Sequence, residues 1–393
     1  MTTYNFDDMI DRRQSYSEKW AVKETELPMW IADMDFKTAP AIIDAFEKKA
    51  ASGIFGYEFI PDAYYSAVQH WMATRHQYHV DRDWLLFTTG VIPAVSSMVR
   101  RMSRIGENVL VQAPVYNIFY NSIVNNGRHV VSSDLVYDGQ RYHIDWDDLE
   151  AKMADPETTL MIVCNPHNPI GHVWSRETLA HIGELANKHH LLVISDEIHG
   201  DLTAKDAPYV PFAAASETCA NLSMTCVSPS KTFNVAAMHA ATLIIPNEGL
   251  RQRVNRGINT DEIAEPNALA IEGTIAAYTQ SSEWLDALLT YLHGNKRLLN
   301  QFISENLSEL TVVPSDATYL VWIDCSNITN NAEELCHFLR EETGLYLSAG
   351  NIYGGDGYDF IRMNIACPRE RLTDGLHRLE AGISSYAARN SQI

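Results

Sequence analysis

The sequence predicts an α/β protein with a mostly parallel central sheet covered by helices. Short apolar segments typical of strands alternate with longer amphipathic segments typical of helices, which is the order expected of βαβ units. Segment 191–194 is an unbroken apolar run, typical of a strand buried on both faces. With 393 residues, 46% of them hydrophobic, the chain is long enough to form two domains with a sizeable core.

The predicted elements follow in chain order. The alternating part predicts strands at 84–88, 108–112 and 128–133, and further strands near residues 160, 191 and 222. Helices are predicted between these strands at 93–103, 115–125 and 176–190. The C-terminal part predicts a helical region at 267–306, strands at 318–323 and 344–348, and helices at 332–342 and 369–388.

Composition argues against several functional classes. A formal net charge of −20 opposes binding to a nucleic-acid backbone or an anionic membrane, because both would repel the chain. No apolar stretch approaches a membrane span, and the N-terminus lacks the charged-then-apolar order of a signal peptide. Six cysteines without paired or metal-ligand spacing fit reduced thiols, so we expect a cytoplasmic protein without a metal site.

Lys231 lies in the run 228–234, where small hydroxyl residues flank a lysine after an apolar strand. A lysine amine can condense with an aldehyde cofactor such as pyridoxal phosphate, and nearby hydroxyls can hold the phosphate. A solvated surface lysine has the same local pattern. Asp196 stands at the carboxyl end of the strand that includes 191–194, where the ligand crevice of a doubly wound sheet lies. It could keep a pyridine nitrogen protonated, or it could cap the following turn.

Asn168 lies in the loop 164–171, in which two Asn-Pro steps exclude helix. Such a loop can aim an amide at a cofactor hydroxyl, although turn chemistry alone also explains it. Segment 88–92 is a strand-to-helix step with Gly90 at its centre. Backbone N–H groups at a helix start favour a phosphate, and glycine permits its close approach. An ordinary strand-to-helix turn is the alternative.

Four further segments carry a resemblance to a known family: 27–36, 55–57, 195–199 and 360–369. From about residue 5 to 379 the chain resembles fold-type I pyridoxal phosphate enzymes of the aspartate aminotransferase superfamily. Within that superfamily it is similar to the cystathionine beta-lyase, or carbon-sulfur lyase, subgroup of the MalY/PatB type. The resemblance implies a large cofactor-binding domain at 46–281 and a smaller α+β domain built from 1–45 and 282–393.

The resemblance also implies how the cofactor would be bound. Gly90, Val91 and Ile92 would contact the phosphate, and Ser228 and Ser230 would add hydroxyl donors. Many aminotransferases have an arginine eight residues after the Schiff-base lysine. This chain has His239 there, so one phosphate contact is unexplained.

Three further roles follow from the resemblance. Tyr116 would stack on the cofactor ring, or be a core tyrosine, and Tyr57 would reach the phosphate from the other subunit of a homodimer, or be a loop tyrosine. Arg362 would pair with the carboxylate of an amino-acid substrate. His199 stands where aminotransferases commonly have tyrosine, and a core histidine is equally expected there.

The reaction implied is α,β-elimination from a β-thio-substituted L-amino acid. Lys231 would remove the α proton, and cystathionine or cysteine-S-conjugates would yield a thiol, pyruvate and ammonia, with homocysteine as the thiol from cystathionine. We expect 30–36 to help wall the side-chain pocket. An aminotransferase of the same fold and a catalytically weak regulatory protein are the alternatives.

Overall fold

A computed structural model describes residues 4–390 of the chain. In that range the α-helices are α1 (Pro40–Ala51), α2 (Asp62–His76), α3 (Val91–Met102), α4 (Ile118–Val124), α5 (Trp146–Met153), α6 (Arg176–Lys188), α7 (Phe212–Ala215), α8 (Glu217–Leu222), α9 (Pro229–Thr232), α10 (Glu248–Thr260), α11 (Ala270–Gln280), α12 (Ser282–Asn306), α13 (Ala332–Thr343) and α14 (Arg369–Asn390). No helix among these described residues is long and apolar enough to cross a membrane.

The strands belong to two larger sheets and two short pairs. They are β1 (Leu27–Pro28), β2 (Leu85–Thr88), β3 (Asn108–Val111), β4 (His129–Ser132), β5 (Val136–Tyr137), β6 (Tyr142–His143), β7 (Thr158–Cys164), β8 (Leu192–Asp196), β9 (Ser223–Val227), β10 (Ala241–Ile244), β11 (Thr311–Val312), β12 (Leu320–Asp324), β13 (Leu345–Tyr346), β14 (Ser348–Ala349) and β15 (Phe360–Asn364).

The central sheet has seven strands in the order β2-β10-β9-β8-β7-β3-β4. Strands β4, β3, β7, β8 and β9 pair in parallel, and β10 runs antiparallel to both β9 and β2. The predicted α/β class with a mostly parallel sheet is therefore confirmed. Strand β10, the one reversed strand of this sheet, is not predicted by the sequence analysis.

Alternating side chains of the central strands face two separate hydrophobic cores. On β7, Leu160 and Ile162 pack in a cluster that includes residues of α3 and α10. Met161 and Val163 point to the other face, into a cluster that includes residues of α5 and α6. Because both faces are covered, every residue from Leu160 to Cys164 is buried, which explains the continuous apolar run in the sequence.

The C-terminal part forms a second, antiparallel sheet with the order β11-β12-β15-β14. The N-terminal strand β1 pairs in parallel with β13 in a separate two-stranded sheet, which connects the N-terminal segment to the C-terminal part of the chain. A small domain built from both termini stays a prediction. The boundaries at 45/46 and 281/282 stay predictions, and α1 continues across the first of them.

Most predicted elements have limits within two residues of the structure, and three differ by more or are divided. The helical region 267–306 contains two helices, α11 and α12, because Ser281 interrupts it and its hydroxyl bonds the carbonyl of Ala276. The predicted helix 115–125 begins only at Ile118, after a segment in which the Val115 N–H bonds the Tyr353 carbonyl. The predicted strand 344–348 is divided between β13 and β14.

Trp322 of β12 provides a test of the packing between the C-terminal sheet and the hairpin β5-β6. It is fully buried, stacks on Phe360 with ring centroids 5.1 Å apart, and donates its indole N–H to the Tyr142 hydroxyl at 3.1 Å. We expect Trp322→Ala to lower the free energy of unfolding by about 3–5 kcal/mol through loss of buried contacts. Urea denaturation measures this, with exposed Tyr358→Ala as the control. Equal unfolding midpoints for the two variants would contradict this packing role.

Candidate active site

The parallel register of β7, β8 and β9 brings the predicted site residues together. Cys164, Asp196 and Cys226 are neighbours across these strands, so the loops that follow begin at the same edge of the sheet. Asn168 follows β7, Asp196 ends β8 and Lys231 follows β9. A cavity of about 250 Å³ lies at this edge. Its lining includes Gly90, Val91, Ile92, Tyr116, Asn168, Asp196, Ser228, Ser230, Lys231 and His239.

Lys231 presents its amine inside this cavity. The Nζ donates a hydrogen bond to the Ala32 carbonyl at 2.6 Å. Burial lowers the pKa of the amine to about 8, and the positive charge of Arg362 acts in the same direction. The carboxylates of Asp33 and Asp196 oppose this shift. Roughly a tenth of the amine is therefore neutral and nucleophilic at pH 7, far more than for a lysine at its ordinary pKa.

Asp196 is a buried carboxylate with little compensation from the protein. Its side chain is 3% exposed, and Oδ1 accepts one backbone hydrogen bond from Ile198 at 3.1 Å. Burial raises its pKa to about 6, while this hydrogen bond and the charge of Lys231 act in the opposite direction. A cationic group that entered the cavity would relieve the cost of burying this charge.

Arg362 of β15 bonds directly to Asn168. Its Nη1 donates to the Asn168 Oδ1 at 3.0 Å, and its Nη2 donates to the Trp30 carbonyl at 2.9 Å. Because a guanidinium only donates, the oxygen of Asn168 must face Arg362, and its amide nitrogen is left as a donor. The Arg362 Nε is buried and has no hydrogen-bond acceptor within the described chain. That unsatisfied N–H suits an incoming anion.

The strand-to-helix step at Gly90 and the turn at Ser228 form the other end of the cavity. Gly90 has a φ of +157°, which L side chains rarely adopt, and it directly precedes α3. The N–H groups in the first turn of a helix have no acceptor within the helix, so they are available to an anion. The Ser228 and Ser230 hydroxyls lie 2.9 Å apart beside them.

His239 also lines the cavity, exposed and in the left-handed region with a φ of +50°. Within the described chain, Lys231 is the only lysine or arginine among the lining residues. The arginine missing at position 239 is therefore not replaced by another guanidinium or ammonium group at the cavity wall.

Two aromatic side chains of the lining are held uncharged by burial. Burial, with the nearby charge of Asp196, raises the pKa of Tyr116 to about 12. Burial lowers the pKa of His199 to about 3, supported by the positive charges of Lys231 and Arg362. The His199 Nδ1 is buried without a hydrogen-bond partner within the described residues. A neutral imidazole with a free nitrogen therefore faces the cavity.

Two predicted site residues do not line the cavity of one chain: Arg362, which bonds the lining residue Asn168, and Tyr57, which lies away from it. Tyr57 is fully exposed, and Ile54, Phe55 and Phe59 around it are exposed as well. Exposed apolar side chains at this density commonly mark an interaction surface.

The sequence reading did not identify some of the groups around Lys231. Ala32 lines the cavity, and its carbonyl accepts from both Lys231 and the Tyr319 hydroxyl. The available signal is the pair of acids Asp33 and Asp35 inside an otherwise apolar segment. The contact with Tyr319 has no sequence signal, because the two residues are far apart in the chain.

The chemistry of the site fits pyridoxal 5′-phosphate. An amine suits the aldehyde, a buried carboxylate suits the ring nitrogen, and the helix start with adjacent hydroxyls suits the phosphate. The unsatisfied atoms Arg362 Nε and His199 Nδ1 indicate that polar groups are expected beside them. Fold and site together define a pyridoxal-phosphate-dependent enzyme.

Comparison with known proteins agrees with this class. The chain belongs to the aminotransferase class I and II family, whose model matches residues 27–379. Cystathionine beta-lyase PatB of Bacillus subtilis is 39% identical, over 97% of this chain and 100% of that protein. Protein MalY of Escherichia coli is 33% identical, over 95% of this chain and 97% of its own. The resemblance to this subgroup is confirmed.

Solved structures give the same result. Cystalysin from Treponema denticola, which contains pyridoxal 5′-phosphate, superposes with a TM-score of 0.95 at 30% identity, over 98% of this chain and 100% of that chain. The PLP-bound C-S lyase from Staphylococcus hominis has a TM-score of 0.90 at 30% identity, over 97% and 99% of the two chains. Pyridoxal 5′-phosphate is the cofactor of this protein.

The raised pKa of Asp196 predicts a pH-dependent stability of the cofactor-free protein. A carboxyl whose pKa is higher in the folded state contributes stability at low pH, and that contribution is lost as pH rises through about 6. Asp196→Asn removes the titrating group and with it this loss of stability. We expect the free energy of unfolding of Asp196→Asn, measured relative to wild type, to be roughly 1 kcal/mol higher at pH 8 than at pH 5. Urea unfolding at both pH values measures it, with exposed Asp206→Asn as control. A gap that does not change with pH would refute it.

Proposed function

We propose that the protein is a carbon-sulfur β-lyase that cleaves L-cystathionine or related cysteine-S-conjugates by α,β-elimination. The products are a thiol, which is homocysteine in the case of cystathionine, together with pyruvate and ammonia. The observation that carries the proposal is one cavity lined by Lys231, Asp196 and Asn168, the last of which is bonded by Arg362. The similarity over nearly the full length to PatB supports the choice of reaction.

We further propose how the described residues hold the cofactor. Asp196 would pair with the ring nitrogen, the free amide of Asn168 would donate to the ring hydroxyl, and Tyr116 would cover a ring face. The N–H groups of Gly90, Val91 and Ile92 and the hydroxyls of Ser228 and Ser230 would hold the phosphate. When bound, the cofactor supplies an electron sink for the pair that the departing α proton leaves behind.

The substrate is held and deprotonated by two side chains. Arg362 binds the α-carboxylate through its guanidinium, which has one N–H without an acceptor within the described chain. The neutral amine of Lys231 takes the α proton, so that the Cα–H bond breaks and an N–H bond forms. The Cβ–S bond then breaks with its electron pair on sulfur, and the Lys231 ammonium is the proton source for the thiol. The aminoacrylate that remains takes up water and decomposes to pyruvate and ammonia.

The proposed reaction is tested with purified holoenzyme and L-cystathionine. We expect pyruvate to form without an added keto acid, and Lys231→Ala to lose at least about a hundredfold in rate because the base is removed. Exposed Lys205→Ala is the matched control. Pyruvate that appears only with a keto acid would instead assign an aminotransferase. Bound cofactor with no turnover of any thio-amino acid would indicate a regulatory protein.

We also propose a homodimer in which Tyr57 reaches the phosphate of the neighbouring subunit. The exposed apolar segment 54–59 supports a contact surface, and the cavity of one chain has no arginine for the phosphate within the described residues. The six cysteines are free and buried, which supports a reducing, cytoplasmic location. The division into a large domain at 46–281 and a small domain at 1–45 and 282–393 is part of the same proposal.

The dimer is tested by mixing two inactive variants, Tyr57→Ala and Lys231→Ala. In a mixed dimer, one site combines Lys231 from one subunit with Tyr57 from the other and is complete. We expect the refolded equal mixture to recover up to about a quarter of wild-type activity per subunit, since half of random dimers are mixed and each has one intact site. Mixing Lys231→Ala with Asp196→Asn, both on the same protomer's site, is the control. No recovery beyond that of the control would exclude a shared site.

A further inference from the structure

Backbone carbonyl groups of segment 30–36 accept hydrogen bonds from side chains at and around the site. The Trp30 carbonyl accepts from Arg362 and from Ser348, each at 2.9 Å. The carbonyls of Ile31 and Asp33 both accept from the amide of Asn364 at 2.6 Å. Side chains from β14 and β15 therefore hold this segment against the C-terminal sheet.

The Ala32 carbonyl lies in the middle of this fixed segment. It accepts from the Lys231 Nζ at 2.6 Å and from the Tyr319 hydroxyl at 3.1 Å. A carbonyl oxygen binds an ammonium more strongly than a neutral amine, because the donor carries charge. Its placement favours the protonated form of Lys231.

Asp33, the next residue, adds a negative charge. Its carboxylate pairs with the Arg12 Nη2 at 2.6 Å and lies 3.6 Å from the Lys19 Nζ, while the Asp33 backbone is held by Asn364. The carboxylate raises the pKa of Lys231 against the effect of burial. Asp33 directly follows Ala32, whose carbonyl bonds the Lys231 Nζ, so its negative charge lies on the segment that contacts this amine and favours the step in which the proton arrives.

The other titratable groups that act on Lys231 do not supply the stabilisation of its ammonium that Asp33 supplies. Arg362 opposes the ammonium, and Asp196 favours it. In the proposed function, Asp196 is neutralised by the ring nitrogen of the cofactor. Burial keeps His199 uncharged near neutral pH, and it raises the pKa of both Tyr116 and Tyr319.

We propose that Ala32 and Asp33 form the proton-holding site of Lys231. The Ala32 carbonyl and the Asp33 carboxylate stabilise the ammonium that Lys231 becomes when it takes the α proton of the substrate. Asp33 is thus a positioning residue that acts through Lys231, with no contact to the substrate. The inference rests on the proposed function for its role in the reaction, but the electrostatic effect on Lys231 is measurable without substrate or cofactor.

The test measures the proton affinity of Lys231 in the cofactor-free protein. Brief labelling with an amine-acylating reagent over a pH series, followed by peptide mass spectrometry, reports the neutral fraction of this one amine. We expect Asp33→Asn to shift the labelling midpoint to lower pH and to raise labelling at pH 7 by about threefold or more. Asp33→Glu, which keeps the charge, is expected to stay near the wild-type midpoint. Asp11→Asn, an exposed acid in the same N-terminal region, is the matched control.

A second variant, for which the opposite shift of the labelling midpoint is expected, keeps the proposal testable if Asp33→Asn does not fold. Arg12→Gln removes the cation that pairs with Asp33, so we expect its labelling midpoint to shift to higher pH. In the holoenzyme, the acid limb of the kcat profile is expected to shift in the same direction as the midpoint for each variant. Midpoints of the folded Asp33 and Arg12 variants equal to that of Asp11→Asn would overturn the proposal.

The outcome of this test is separate from that of the lyase assay. If wild-type holoenzyme forms no pyruvate from L-cystathionine but the midpoints shift as expected, the proposed reaction fails and the electrostatic role of Asp33 stands. If pyruvate forms and the midpoints do not shift, the reaction stands and the proton-holding site fails.

Discussion

The parallel register of three central strands is the constraint on which the site depends. Asp196 lies between Cys164 of β7 and Cys226 of β9, so the loop with Asn168 and the turn with Lys231 start on either side of it. The two cores on the faces of the sheet hold this register, because a slip by one residue would turn each apolar side chain to the wrong face. Packing far from the cavity therefore determines its geometry.

Burial then gives the converging groups their chemical properties. The same loss of hydration lowers the pKa of Lys231 to about 8 and raises that of Asp196 to about 6, so both lie close to neutrality. An exposed lysine and an exposed aspartate would both be fully charged at neutral pH. The enclosure of the cavity provides an amine that is partly a nucleophile and a carboxylate that gains from an incoming cation.

Much of the fold was predictable because most strands of the central sheet are local apolar runs followed by a helix. The limits of helices were less predictable. Before α4 begins at Ile118, for example, the chain is held by a bond from the Val115 N–H to the carbonyl of Tyr353, more than two hundred residues away. For the site, Lys231, Asp196 and Asn168 were recognisable because each has a local motif at a strand end. The carbonyl of Ala32 was not, since backbone groups at a site leave no mark in the choice of side chain.

Arg362 connects parts of the molecule that are distant in the chain. It belongs to the C-terminal sheet, while its partners Asn168 and Trp30 come from the edge of the central sheet and from the N-terminal segment. One planar cation thus joins three regions, and its two bonded nitrogens each depend on a different one. The guanidinium that would bind the carboxylate of an incoming amino acid therefore has its orientation set by all three regions. It is correctly placed for that carboxylate only when the three regions have the right positions relative to one another.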